Sequence, residues 1–148
     1  MTLVKPFEGY DNFVLKQSFQ DTIGILKANN IQYKLDHWSN KGCTPEVPWD
    51  IIRTNGISFF FAKDKMFKIY FEEGFTDSLF NGIRIGMSME EALSIDPSLS
   101  YDEWEENYSS EKGYWLEDNL ENNTVMSITV FIKELEDDDT FFSYNWCK

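Results

Sequence analysis

Between residues 49 and 71 the chain is cut into three short apolar runs by turn signals, and this stretch leaves little choice of fold. The runs 49–54, 57–62 and 66–71 are separated by Asn55-Gly56 and by Lys63-Asp64-Lys65. Asn-Gly between apolar runs is the strongest short hairpin signal, because a two-residue type I′ turn takes both positions to positive φ. The expectation is an antiparallel meander. In the third run Phe67, Ile69 and Phe71 fall on one face and Lys68 and Tyr70 on the other, so one side is buried and one is wet. The second run, ISFFFA, is apolar on both faces and reads as a central strand. Aromatic residues make up 17% of the chain, which suits a strand-rich fold.

Two helix starts punctuate this pattern. Ser18 precedes Phe19, Ile23 and Leu26 at helical spacing, with Asp21 at the capping-box position and Asn29-Asn30 as the stop. Ser88 opens the second, with Glu91 at the corresponding position, Met87 and Ala92 as a staple, and Pro97 beyond the end. That helix turns Met89, Ala92, Leu93 and Asp96 to one side. Upstream, residues 1–17 read as an irregular or strand-like lead-in, 31–36 as a strand, and 38–48, with Gly42, Pro45 and Pro48, as a loop. Downstream, strands are expected at 101–108, 113–117, 124–133 and 140–146, the third with Met126, Ile128, Val130 and Ile132 on one apolar face. Each helix thus leads into about four meandering strands. The reading is a single α+β domain spanning 1–148: about eight strands in a mainly antiparallel sheet, two short helices on one face, and a tandem αββββ pseudo-repeat with halves 1–74 and 75–148.

Charge divides the same halves. The net charge is −13, yet residues 1–74 carry nine basic and nine acidic side chains, and the entire excess lies in 75–148. Such a field repels nucleic acid and attracts cationic partners. No apolar run reaches the ~18 residues of a membrane span and no signal-peptide core opens the chain, so the expected location is the cytoplasm. Cys43 and Cys147, far apart and in no metal spacing, read as free thiols or a single bridge.

Chemistry is hard to find. His37 is the only histidine and no G-x-S-x-G, P-loop, dinucleotide, H-E-x-x-H or paired C-x-x-C motif is present, so neither an enzyme nor a cofactor or metal site is expected. The run Glu134-Leu-Glu-Asp-Asp-Asp139 lacks the alternate spacing and glycine of a calcium loop. It is a solvated hairpin tip or a protein-contact loop. Residues 101–108, YDEWEENY, say more. As a strand they put Asp102, Trp104, Glu106 and Tyr108 on one face and Tyr101, Glu103 and Glu105 on the other. A tryptophan ringed by carboxylates reads as a contact anchor with a charged rim. The alternative is a core Trp104 whose acidic neighbours protect a sheet edge.

With that acidic, aromatic half and the segment GIRIGMSMEEALSID, the chain resembles the small acidic immunity proteins of bacterial contact-dependent growth inhibition and related polymorphic toxin systems. The resemblance implies a cytoplasmic protein that binds the toxin domain of its cognate effector, often a basic nuclease, and covers the active site. Asp102, Glu103, Glu105, Glu106, Asp137, Asp138 and Asp139 are the charge candidates from strand alternation and charge density, with Trp104 and Tyr108 as anchors. Partners would be that toxin domain alone, with no direct nucleic-acid or membrane contact. A DNA-mimic or anti-restriction protein would share the acidity, and a small ligand-binding domain would instead show a deep aromatic pocket with a buried carboxylate.

Overall fold

The computed structural model describes residues 2–40 and 47–135. It is an α+β fold with two helices, a large eight-stranded sheet and a smaller mixed one. Three short strands, β1 (Leu3–Lys5), β2 (Gly9–Tyr10) and β3 (Phe13–Val14), precede helix α1 (Phe19–Ala28). Then come β4 (Lys34–Asn40), β5 (Val47–Arg53), β6 (Ile57–Ala62) and β7 (Lys65–Phe71). After β8 (Ser78–Leu79) and helix α2 (Met89–Ile95) the second set follows: β9 (Ser100–Asp102), β10 (Asn107–Ser109), β11 (Tyr114–Asn119) and β12 (Thr124–Phe131). Among the described residues each helix is therefore followed by four strands of the large sheet. The large sheet runs β4-β5-β6-β7-β12-β11-β10-β9, entirely antiparallel, so the two meanders meet through their last strands.

Both helices start where the serines placed them. Ser18 Oγ accepts from Asp21 N and Ser88 Oγ from Glu91 N, each at 3.1 Å, which satisfies an amide that has no partner within its helix. Helix α1 buries Thr22, Ile23 and Leu26, and α2 buries Met89 and Ala92. Both face the same side of the sheet. Register links Phe59, Ile69, Val130 and Tyr114 across β6, β7, β12 and β11. Phe13 packs against Phe59 and Phe19 against Phe61, while the α2 terminus bonds Tyr114. The small sheet, ordered β3-β2-β1-β8, completes this second layer, with Tyr10 stacked edge-on to Phe71 and Phe75. The core lies between the layers.

Several local readings change. The segment 101–108 is a hairpin rather than one strand: β9 and β10 flank a turn at 103–106. Its acids and asparagine are poor strand formers, and Asp102 caps the turn instead. Residues 38–40 and 47–48 continue β4 and β5, so the expected loop narrows to 41–46, which is outside the described residues together with the expected strand 140–146, Cys43 and Cys147. The left-handed turn conformation predicted for Asn55-Gly56 falls on Gly56 alone (φ 86°). Lys63 and Asp64 (φ 52° and 62°) form the turn with both residues left-handed. Two bulges also shift faces. One, between Phe60 and Phe61 on β6, puts Phe67 with Lys68, packed on Trp49 at 4.9 Å and on Phe60 at 6.3 Å. The other skips Met126, leaving it 43% exposed while Ile128 and Val130 are fully buried.

Gly56 is required by packing as well as by φ, because an added Cβ would lie 2.6 Å from Phe75 N. Gly56→Ala is expected to destabilise the fold by roughly 1–3 kcal/mol, as measured by urea unfolding, with the secondary structure retained.

Candidate functional site

The 103–106 turn is built by its own side chains. Asp102 Oδ1 accepts from Trp104 N at 2.9 Å and Glu105 N at 3.2 Å, and Glu106 closes the turn at φ 55°. This local bonding pushes Trp104 outward. It is 95% exposed, the most exposed of the large hydrophobic residues described. Below it, Tyr101 and Tyr108 face each other across β9 and β10, their rings 5.2 Å apart and edge-on.

A second hairpin ends beside the first. Because β10 and β11 are antiparallel, with Tyr108 opposite Leu116, the β9–β10 and β11–β12 turns lie at the same end of the sheet. The second turn displays Leu120, 88% exposed, and its Asn119 side chain accepts from Glu121 N at 2.9 Å. Asp118 and Glu121 add to the carboxylates of the first tip. The two hairpins share a field: partial desolvation, then the charges of Asp118, Glu106 and Glu103, raise the Tyr101 hydroxyl above its usual range. On the sheet's other face, burial lowers the Lys68 ammonium, partly offset by Glu117 and Glu105. Lys68 Nζ sits 4.3 Å from the Phe60 ring centre, a cation–π contact.

What holds the first hairpin is a buried carboxylate. Asp96, the C-cap residue of α2 and 1% exposed, accepts from Ser98 N (3.0 Å) and Ser98 Oγ (2.7 Å) on one oxygen. The other oxygen accepts from Ser110 Oγ and Tyr114 OH, both at 2.5 Å. Ser98 precedes β9, Ser110 follows β10 and Tyr114 opens β11, so one side chain gathers the base of the hairpin. Asn81 Nδ2 donates to the same Tyr114 hydroxyl at 3.2 Å. Burial opposes the Asp96 charge, but the bonds from Ser110, Ser98 and Tyr114 outweigh it and hold the carboxyl at about 2. Tyr114 moves the opposite way, raised by burial and by donating to Asp96.

Of the residues singled out from sequence, Asp102, Glu103, Trp104, Glu105, Glu106 and Tyr108 come together on this one hairpin. The assignment of faces changes, since four of them lie in or at a turn and not along a strand. Trp104 does not enter the core. Asp137, Asp138 and Asp139 lie outside the described residues. Leu120 was missed, although an apolar residue inside the polar segment DNLENN was its signal. No group of three potential ligands is placed to hold a metal ion among the described residues. Hollows of about 630 Å³ beside β1 to β3 and about 260 Å³ between Phe13, Leu26, Ile57 and Phe59 open elsewhere, and Asp96 lines neither. No helix among the described residues is long and apolar enough to cross a membrane. Comparison with family models, curated proteins and solved structures finds no match to this chain.

Asp96 is held below its unfolded value near 3.8, so its contribution to stability is complete above about pH 4 and is lost as pH falls towards 2. Asp96→Asn is expected to remove that part of the acid transition and to cost roughly 1–3 kcal/mol at neutral pH. Urea unfolding across a pH series checks both, and faster amide exchange in β9 and β10 would locate the loosening.

Proposed function

We propose that this chain is a non-catalytic, stoichiometric inhibitor that binds a basic toxin domain, a nuclease by class, and covers its active site. The observation that carries the reading is Trp104, exposed at the tip of a hairpin whose base is gathered by the buried Asp96. A large indole held in water gains free energy when it docks, and a tip already ordered loses little entropy in doing so. Tryptophan is also the residue type most enriched among contacts that dominate binding.

The surrounding carboxylates supply the second half of the argument. Asp102, Glu103, Glu105 and Glu106 ring Trp104, with Asp118 and Glu121 on the neighbouring hairpin. Against a surface built to hold phosphates, they speed encounter and occupy ground meant for the substrate. The same charge disfavours nucleic acid itself. The proposed site of action is the cytoplasm of the producing cell, in keeping with the resemblance to immunity proteins, and no cofactor enters the mechanism.

Tagged protein used as bait in a native-host lysate at low salt is expected to retain one basic domain in stoichiometric amount, and less of it at high salt. Against that domain, Trp104→Ala should weaken affinity by roughly 30-fold or more, the scale of a dominant contact. Reversing Glu103, Glu105 and Glu106 to Lys should slow association and leave the melting curve nearly unchanged. Wild-type affinity and rates in both variants would overturn the reading.

A further inference from the structure

The opposite edge of the large sheet is formed by β4, and it differs from β9 in length and charge. Strand β4 has seven residues and, among the described residues, pairs only with β5. Lys34, Leu35, Asp36 and His37 are all exposed, so this part of the strand presents side chains to water on both faces and, among the described residues, has no strand on its outer edge. Leu35 is 60% exposed. Behind this strand, β5 is paired to β6 and buries Ile51 and Ile52, so the exposure is confined to the edge strand. An open edge is a template for another strand.

Sheet edges are usually guarded by like charge, which repels a second copy. Strand β9 is guarded in this way: it is three residues long and leads straight from Asp102 into Glu103. Strand β4 is not, because Lys34 and Asp36, which precede and follow Leu35 and share the face opposite to it, are of opposite sign. Asp36 takes a 3.4 Å contact from Arg53 Nε across the β4–β5 ladder, yet its side chain stays 55% exposed. Its other oxygen accepts from His37 N at 2.8 Å, and the carboxylate still has room for a further cation on its solvent side.

We propose that the β4 edge is a homodimer interface, in which two copies pair β4 antiparallel about a two-fold axis at Leu35. In that register Leu35 faces the partner's Leu35, and each Lys34 faces the partner's Asp36. One apolar pair is covered and two ion pairs form. The arrangement closes on itself, whereas β4 joined to the β9 edge of another copy would build an open filament.

Long-range charge favours the same edge. The whole excess of −13 lies in residues 75–148, and β4 belongs to the neutral half. Seven strand spacings of about 4.8 Å separate β4 from β9, so joining two copies at β4 sets their acidic hairpins roughly 70 Å apart. Screening acts over about 8 Å at physiological salt, and those hairpins would not sense each other. Pairing through β9 would press them together. The proposal stands apart from the docking role of Trp104 and does not depend on it.

Sedimentation velocity over a dilution series tests it on the full chain. The wild type is expected to approach twice the 17.5 kDa monomer mass at the highest concentrations and to dissociate on dilution. Asp36→Lys sets Lys34 against a second lysine and should weaken dimerisation by roughly tenfold or more. Adding Lys34→Asp restores opposite charges and should restore the dimer, while circular dichroism verifies that each variant is folded. A wild type monomeric at every concentration would overturn the proposal. So would a dimer indifferent to Asp36→Lys, or a double variant that fails to recover.

Discussion

The ladder between β7 and β12, from Ile128 opposite Phe71 to Phe131 opposite Lys68, joins segments farther apart in sequence than any other pair in the large sheet. Every other neighbour in that sheet is reached by a hairpin. Without this ladder each half is a short meander with a helix, and neither has a second layer wide enough to cover it. With it, Ile69 and Val130 become interior positions, and Phe59, Tyr114, Met89 and Leu26 share one core. The entropy of closing so long a loop is recovered through apolar area that only the joined sheet can bury.

That continuity carries through to the exposed end. Tyr114 is fully buried by the core on its ring face, and its hydroxyl reaches Asp96 at the end of α2. Ser98 and Ser110 bring the flanks of the β9–β10 hairpin to the same carboxylate. The arrangement explains how an eight-stranded sheet can end in a strand whose residues are all exposed and still hold a fixed tip. A buried carboxylate is stable only when its charge is compensated, and four hydrogen-bond donors meet that need here.

Strand order converts a lopsided sequence into a lopsided surface. The neutral half supplies β4 to β7 and the acidic half supplies β9 to β12, with the seam between them at the middle of the sheet. Among the described residues the β4–β5 edge is balanced in charge and the β9–β10 edge is acidic. Under the two proposals above, the edges would take different company: a basic surface at one, a second copy at the other.

Much of this was legible in the residues. Ser18 and Ser88 marked both helix starts because capping is local, and ISFFFA marked a central strand because only an interior strand tolerates apolar side chains on both faces. The four strands expected after α2 were not the four observed, because 101–108 supplies two of them and 140–146 lies outside the described residues. Whether 101–108 ran as one strand or doubled back was not legible, since alternation describes a strand but not the Asp102 bonds that end it. Phe67 and Met126 changed faces through bulges, which arise from pairing with a neighbour and leave no period in the sequence. Asp96 could be assigned to the inward side of its helix from spacing. That it would meet Ser98, Ser110 and Tyr114 was decided by tertiary structure alone, because those partners are brought together by the turn of one hairpin and the packing of α2 upon the sheet.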